Sequence, residues 1–301
     1  MKAPALQPGD TIGVMAPSSY VEQADIEASQ KILESKGYKV FVHPQTYERR
    51  GQFAGTDLQK SLALQGLWQR PDIKAIWAAG GGNRALNLID QINYDAIKQK
   101  PKIMIGFSDV TALLNAFYAH TGLVTFHGPV FKNIHKQPDL VDPVLHVLSG
   151  QTSAYDLKGA DVLRAGTAEG VLVGGNLSVF HYLPGTVPGN FWKDTILFLE
   201  DCGDEISRFD RMIIHLKRMG IFKSIRGLVL GEFLDVADTG RPFGFSLSNL
   251  VLEHIGDFTG PVIINAPFGH GKKLPCFPVG GQVRLDTESL QMHLSEPMTM
   301  V

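Results

Sequence analysis

The stretch "KIMIGFSDVTALLNAF", residues 102–117, decides how the chain folds. The apolar run Ile103–Ile105 meets Gly106-Phe107-Ser108-Asp109 and passes at once into a helical pattern. A short buried strand, a tight turn and a helix make up half of a βαβ unit. The same alternation continues on both sides. Upstream, "TIGVMAPSS" is a strand ending in a turn, and a helical stripe through Ile26, Ile32 and Leu33 stops at Gly37. Strand "KVFVHP", helix "DLQKSLALQGLWQRPD", strand "IKAIWAAGGG" and the helical piece "ALNLIDQI" follow. Downstream, the helix closes at Gly122 and "LVTFHGP" is one more strand. Strands alternating with helices at this spacing predict an α/β fold with a parallel sheet covered on both faces.

Residues 133–167 are polar and punctuated by Pro and Gly, which predicts a linker with one short helix near Val141–Leu148. The second apolar region opens at "GVLVGGNLSVFHYLPGT". It continues through strands "TILFLED", "IRGLVLGEF" and "PVIINAPFGHG", helices "ISRFDRMIIHLKRMGIF" and "SLSNLVLEHIGDF", and a final hairpin around "VRLDTESLQMHL". The expected division is an N-terminal α/β domain over 1–132, a linker over 133–167 and a smaller C-terminal α+β domain over 168–301.

The bulk composition narrows the function. The chain has 301 residues and a formal charge of −2, so no basic field suits nucleic acid or anionic lipid. Two cysteines, Cys202 and Cys276, do not make a disulfide framework, which fits a reducing compartment. The N-terminus reads as a first strand rather than a signal peptide, and no run approaches the roughly 20 apolar residues of a membrane span. The expectation is a soluble, cytoplasmic protein with a small-molecule or protein partner.

Ligands of open parallel sheets bind beyond the carboxyl ends of the strands. Three such points stand out: Ser18–Ser19, Gly80–Gly82 and Ser108–Asp109. Taken locally, Ser108 is a helix cap, since Ser and Asp accept from free amides at a helix start. The alternative is a nucleophile on a strand-to-helix elbow, although Val110 departs from G-x-S-x-G. The glycine loop "AAGGGNRA", residues 78–85, lacks both G-x-G-x-x-G and a following Lys-Ser or Lys-Thr. It is a tight turn or an oxyanion hole built from backbone amides. A nucleophilic serine needs a base and an orienting acceptor. His270 lies in a Gly-His-Gly context where small neighbours admit close approach of other chain. Glu200 closes an apolar run. Metal spacing is weak, with no H-x-x-x-H and no C-x-x-C, so no metal and no cofactor is expected.

These segments occur in a recognisable order: "GDTIGVMAPSS", "FAGTD", "GFSDVTALL", "TFHGP", "GVLVGGNLSVF", "LFLEDCGDEISRFDRMIIHLKRMGIF", "GLVLGEF" and "PFGHGKKLPCFPVG". Together they resemble the LD-carboxypeptidases, the muramoyltetrapeptide carboxypeptidase family, which also includes microcin C immunity peptidases. The resemblance implies a Rossmann/flavodoxin-like first domain and an active site at the domain interface. It implies a Ser-His-Glu triad of Ser108, His270 and Glu200, with the backbone amides of Asp109 and of Gly81 or Gly82 as oxyanion donors. Asp109 is also expected to help start the helix. The substrate implied is a murein tetrapeptide that loses its terminal D-alanine in cell-wall recycling, and the assembly implied is a homodimer. One departure concerns specificity. The family's Arg-Gly-Gly-Tyr-Gly loop is Ala79-Gly80-Gly81-Gly82-Asn83 here, which makes an aminoacyl-nucleotide substrate of the microcin C immunity type an alternative. Arg84, next to this loop, is the candidate for the terminal carboxylate. A different class, a non-catalytic two-domain ligand-binding protein, stays open on the sequence.

Overall fold

The computed structural model describes residues 1–151 and 154–300. The first half runs β1 (Thr11–Met15), α1 (Gln23–Ser35), β2 (Lys39–Val42), α2 (Asp57–Gln69), β3 (Ile73–Ala78), α3 (Tyr94–Gln99) and β4 (Ile103–Gly106). It continues with α4 (Thr111–Thr121), β5 (Thr125–His127) and α5 (Val141–Leu148). Next come β6 (Ala154–Asp156), β7 (Asp161–Arg164), β8 (Thr167–Asn176), α6 (Leu177–Phe180), β9 (Thr195–Cys202) and α7 (Ile206–Arg218). The chain closes with β10 (Gly227–Leu234), α8 (Leu247–Ile255), β11 (Val262–Ile264), β12 (Phe277–Val279), β13 (Gln282–Asp286) and β14 (Gln291–Leu294).

These elements form two compact units. The first comprises Met1–Thr152, Pro275–Gly280 and Pro297–Val301; the second comprises Ser153–Leu274 and Gly281–Glu296. The sheet of the first unit has the order β12-β5-β4-β3-β1-β2. Its strands β1 to β5 are parallel, in the flavodoxin-like arrangement 2-1-3-4-5 with a switch point between β1 and β3. Every residue of β4 is buried, as a strand covered on both faces requires. The helices carry local start and stop signals. Thr56 caps α2 in a reciprocal box, its hydroxyl accepting from the Gln59 amide (3.1 Å) while the Gln59 side chain accepts from the Thr56 amide (2.8 Å). Gly122, at φ 74°, ends α4 in the left-handed conformation.

The sheet of the second unit has the order β6-β14-β13-β8-β9-β10-β11-β7. Its centre, β8-β9-β10-β11, is parallel, and β13–β14 is the expected antiparallel hairpin. Helix α7 buries Ile206, Phe209, Met212, Ile213 and Leu216, a stripe at 3- and 4-residue spacing.

The structure divides the chain differently from the expected 1–132, 133–167 and 168–301. The stretch expected as a linker is split between the units. Residues 133–151 belong to the first unit, where α5 buries Val141, Val144, Leu145, Val147 and Leu148. Strands β6 and β7 take the two edges of the second sheet. Residues 152 and 153, inside that stretch, and residue 301 lie outside the described residues. The chain also returns to the first unit near its end. Strand β12 pairs antiparallel with β5, and its buried Phe277 and Val279 cover what would be an open edge. Among the described residues, no helix is long and apolar enough to cross a membrane.

Candidate active site

The nucleophile candidate sits where β4 ends. Phe107 is still extended (φ −150°, ψ 164°), and its ring packs edge-on against the buried His127, 5.0 Å away. Ser108 then turns into the left-handed region at φ 62°. A non-glycine residue there costs about 1–3 kcal/mol and persists only where surrounding structure enforces it. The local capping role does not hold. Val110 occupies the N-cap of α4, and neither it nor Phe107, which caps the short turn before it, makes a side-chain capping bond.

The Asp109 side chain also does other work than starting α4. It is almost fully buried and accepts from the Ser18 hydroxyl (2.6 Å) and from the Ala85 amide (2.8 Å). One carboxylate thus ties together the loops that follow β1, β3 and β4. Burial pushes its pKa up, while the Ser18 and Ala85 hydrogen bonds and the Lys60 charge work against that. Lys60 is fully buried on α2, with its Nζ 3.6 Å from Asp57. We expect Asp109→Ala to leave the Ser18 hydroxyl and Ala85 amide buried without an acceptor, a loss of about 2 kcal/mol or more. A lowered denaturation midpoint together with reduced turnover would be observed; unchanged values for both would reject the tie.

The glycine loop packs against this turn. A Cβ built on Gly81 would stand 3.0 Å from Ser108 Cβ and 3.3 Å from its Oγ, so the Gly81 backbone lies directly over the serine. The Ser19 amide donates to the Gly81 carbonyl (3.2 Å). Gly82 has φ 126°, and a Cβ there would fall 2.0 Å from Ser19 Oγ. Gly82→Ala is therefore expected to destabilise by about 1–3 kcal/mol and to displace the loop amides. Thermal unfolding and initial rates measured on the same preparation check this. Arg84, also left-handed at φ 81°, is bound through both Nε and Nη2 to the Asp57 carboxylate, which also accepts from Asn87. A substrate carboxylate at Arg84 would compete with Asp57.

The second unit holds a carboxylate–imidazole pair of its own. Glu200, fully buried near the end of β9, lies beside Asn176 of β8. His270, in the loop after β11, donates from Nδ1 to Glu200 Oε2 at 2.6 Å. With Nδ1 as donor, Nε2 carries the ring's lone pair, the tautomer a general base needs. Burial works to lower the His270 pKa, but the Glu200 hydrogen bond and charge outweigh it and hold the imidazole above its ordinary value. The glycines around His270 make room for two carboxylates. A Cβ on Gly269 would stand 3.3 Å from Glu200 Oε2, and one on Gly271 only 2.0 Å from Glu232 Oε2. Asp201, next to Glu200, holds the backbone around β9 in place. It accepts from the Asn176 amide group, from Ser178 N and Oγ, and from the Cys202 amide.

The sequence did not single out the Asp109 carboxylate, Ser18 as its donor, or Lys60. The one available signal was the position of Ser18 and Asp109 just beyond strand ends.

A strained serine under a glycine loop and a buried carboxylate–imidazole pair are components that serine hydrolases use. Two family profiles match in order, the LD-carboxypeptidase N-terminal domain over residues 12–128 and the LD-carboxypeptidase C-terminal domain over residues 169–285. The chain belongs to this LD-carboxypeptidase family, peptidase S66. The "Probable murein peptide carboxypeptidase" of Bacillus subtilis is 30% identical over 95% of this chain and 92% of its own. Among solved structures, MccF in complex with glutamyl sulfamoyl guanosine superposes with a TM-score of 0.90 at 25% identity, covering 99% of each chain. Muramoyltetrapeptide carboxypeptidase from Oxalobacter formigenes gives 0.83 at 27% identity, covering 94% of this chain and 97% of its own.

Proposed function

We propose that this protein is a cytoplasmic serine carboxypeptidase that releases terminal D-alanine from murein tetrapeptide by cleaving an L,D-amide bond. The observation that carries the proposal is Ser108 in the left-handed conformation beneath the Gly81 backbone. Ser108 Oγ attacks the scissile carbonyl, and His270 takes its proton. The developing oxyanion is met by the backbone amides of Asp109 and of Gly81 or Gly82, where one such donor is worth about 3 kcal/mol. His270 then protonates the departing D-alanine amine, and water repeats the sequence on the acyl-enzyme. Glu200 keeps the imidazole in the Nδ1–H tautomer and stabilises its cationic form. The test is incubation with free or UDP-linked tetrapeptide followed by mass spectrometry. Loss of one alanine by the wild-type protein supports the assignment; no loss rejects it.

A second substrate class is favoured by the 0.90 TM-score to MccF and by the altered glycine loop. It is an aminoacyl nucleotide cleaved by the same residues. Glutamyl sulfamoyl adenosine offered beside tetrapeptide separates the two. Labelling of Ser108 by a serine-reactive phosphonate separates either from a non-catalytic binding protein. The homodimer is carried over from the family and is checked by light scattering in solution.

A further inference from the structure

We propose that Lys132 binds the terminal carboxylate of the substrate and so makes the enzyme an exopeptidase. The proposal rests on the carboxypeptidase assignment above. Such an enzyme has to hold a carboxylate one residue beyond the scissile bond, close to the glycine loop that covers the nucleophile.

Most cations around these strand ends are already engaged. Arg84 is bound to Asp57. Lys60 is fully buried beside the same Asp57. Arg49 pairs with Glu22 at 2.8 Å, and Lys136 pairs with Asp25 at 3.0 Å. Arg50 lies on the exposed turn that bridges to Phe53.

Lys132 differs in position and in freedom. It follows β5, and its backbone amide donates to the Ala79 carbonyl at 3.0 Å, which fixes it to the first residue of the glycine loop. Its Cδ and Cε both lie 3.5 Å from where a Gly80 Cβ would stand. The lysine stem thus runs in van der Waals contact alongside Gly80, whose other close neighbour is Val21 Cγ1, 2.9 Å from the same Cβ position. Gly80 is the immediate neighbour of Gly81, whose backbone covers Ser108. Lys132 is half-buried, and among the described residues its ammonium has neither an ion pair nor a hydrogen bond. A lysine stem packed along apolar and backbone surface delivers its charge at the end of the stem. A partly desolvated ammonium bonds a carboxylate more strongly than a solvated one does. The ligand chemistry is therefore a free carboxylate on the leaving-group side of the scissile bond.

The test compares a tetrapeptide ending in D-alanine with the same peptide ending in D-alaninamide. The wild type is expected to favour the acid in kcat/KM by about 10- to 100-fold, the range for one charged hydrogen bond. Lys132→Gln should lose that factor on the acid, mainly through KM, and leave the amide unchanged. Lys132→Arg should restore most of the loss. Equal losses on acid and amide would mark Lys132 as structural and overturn the proposal. So would a wild type blind to the amide, or an unchanged acid-to-amide ratio in Lys132→Gln. An acid preference that collapses in Arg84→Gln instead would hand the role to Arg84. Failure of the wild type on both peptides would instead reject the carboxypeptidase assignment itself. Ser108→Ala run alongside shows that the measured cleavage is this enzyme's own.

Discussion

Ser108→Ala is expected to reduce kcat by about 10⁴-fold or more, because removing the proposed nucleophile leaves only what binding and the oxyanion donors supply. KM should change little, since the hydroxyl is a small part of the binding surface. The fold should survive, because no capping bond depends on the hydroxyl: Val110 and Phe107 hold the neighbouring N-cap positions. Alanine shares the left-handed strain of Ser108, so relief of strain is not a confounding factor. The decisive readout pairs alanine release with phosphonate labelling. Near-wild-type release by Ser108→Ala would remove Ser108 from the chemistry. Loss of labelling without loss of release would show that the phosphonate blocks access and does not report the nucleophile.

Glu200→Gln is expected to lower kcat by about 10⁴-fold, the scale seen when an orienting carboxylate becomes an amide and favours the wrong imidazole tautomer. It should also move the pH profile. In the proposed mechanism His270 is the base and works only when neutral, so kcat/KM is expected to rise with pH through its pKa. Glu200 holds that pKa above the ordinary imidazole value against the opposing effect of burial. The wild-type limb should therefore lie above about pH 6.5. With Gln at 200, burial is opposed only by the smaller effect of the Asp201 charge, and the limb of the residual activity moves to lower pH. The same shift should appear in an NMR titration of the His270 ring. An acid limb fixed in both proteins would show that Glu200 does not set the charge of His270.

Both experiments depend on residues that the sequence made visible in unequal degree. The strand-turn-helix at 102–117 was legible because apolar runs, Gly106 and Gly122 signal locally. The parallel order of β1 to β5 followed from that alternation. Glu200 was marked by closing an apolar strand, and His270 by its two glycines. The structure places these two side chains in a 2.6 Å bond, and the glycines beside two carboxylates. The role of the Asp109 carboxylate was not legible. Its partners Ser18 and Ala85 lie 91 and 24 residues away, and no periodicity reports a bond across three loops. The capping expectation failed for a related reason: at Ser108 the tertiary setting enforces a strained backbone where local preference favours an ordinary helix start. The linker expectation failed because Pro and Gly mark turns, not the absence of packing, and α5 buries an apolar face between them.

Strand β12 has a consequence for how the protein is made. The first sheet cannot close until Phe277–Val279 arrive, about 150 residues after His127 of β5. At synthesis rates of roughly 5–20 residues per second, the edge of β5 waits about 8–30 s during translation. Throughout that interval the nascent chain exposes the unpaired rim that soluble proteins normally guard. A gene cut between the two family segments would produce an N-terminal piece that never leaves this state. Chaperone demand and aggregation of such a fragment, rather than its catalytic competence, would then govern its fate.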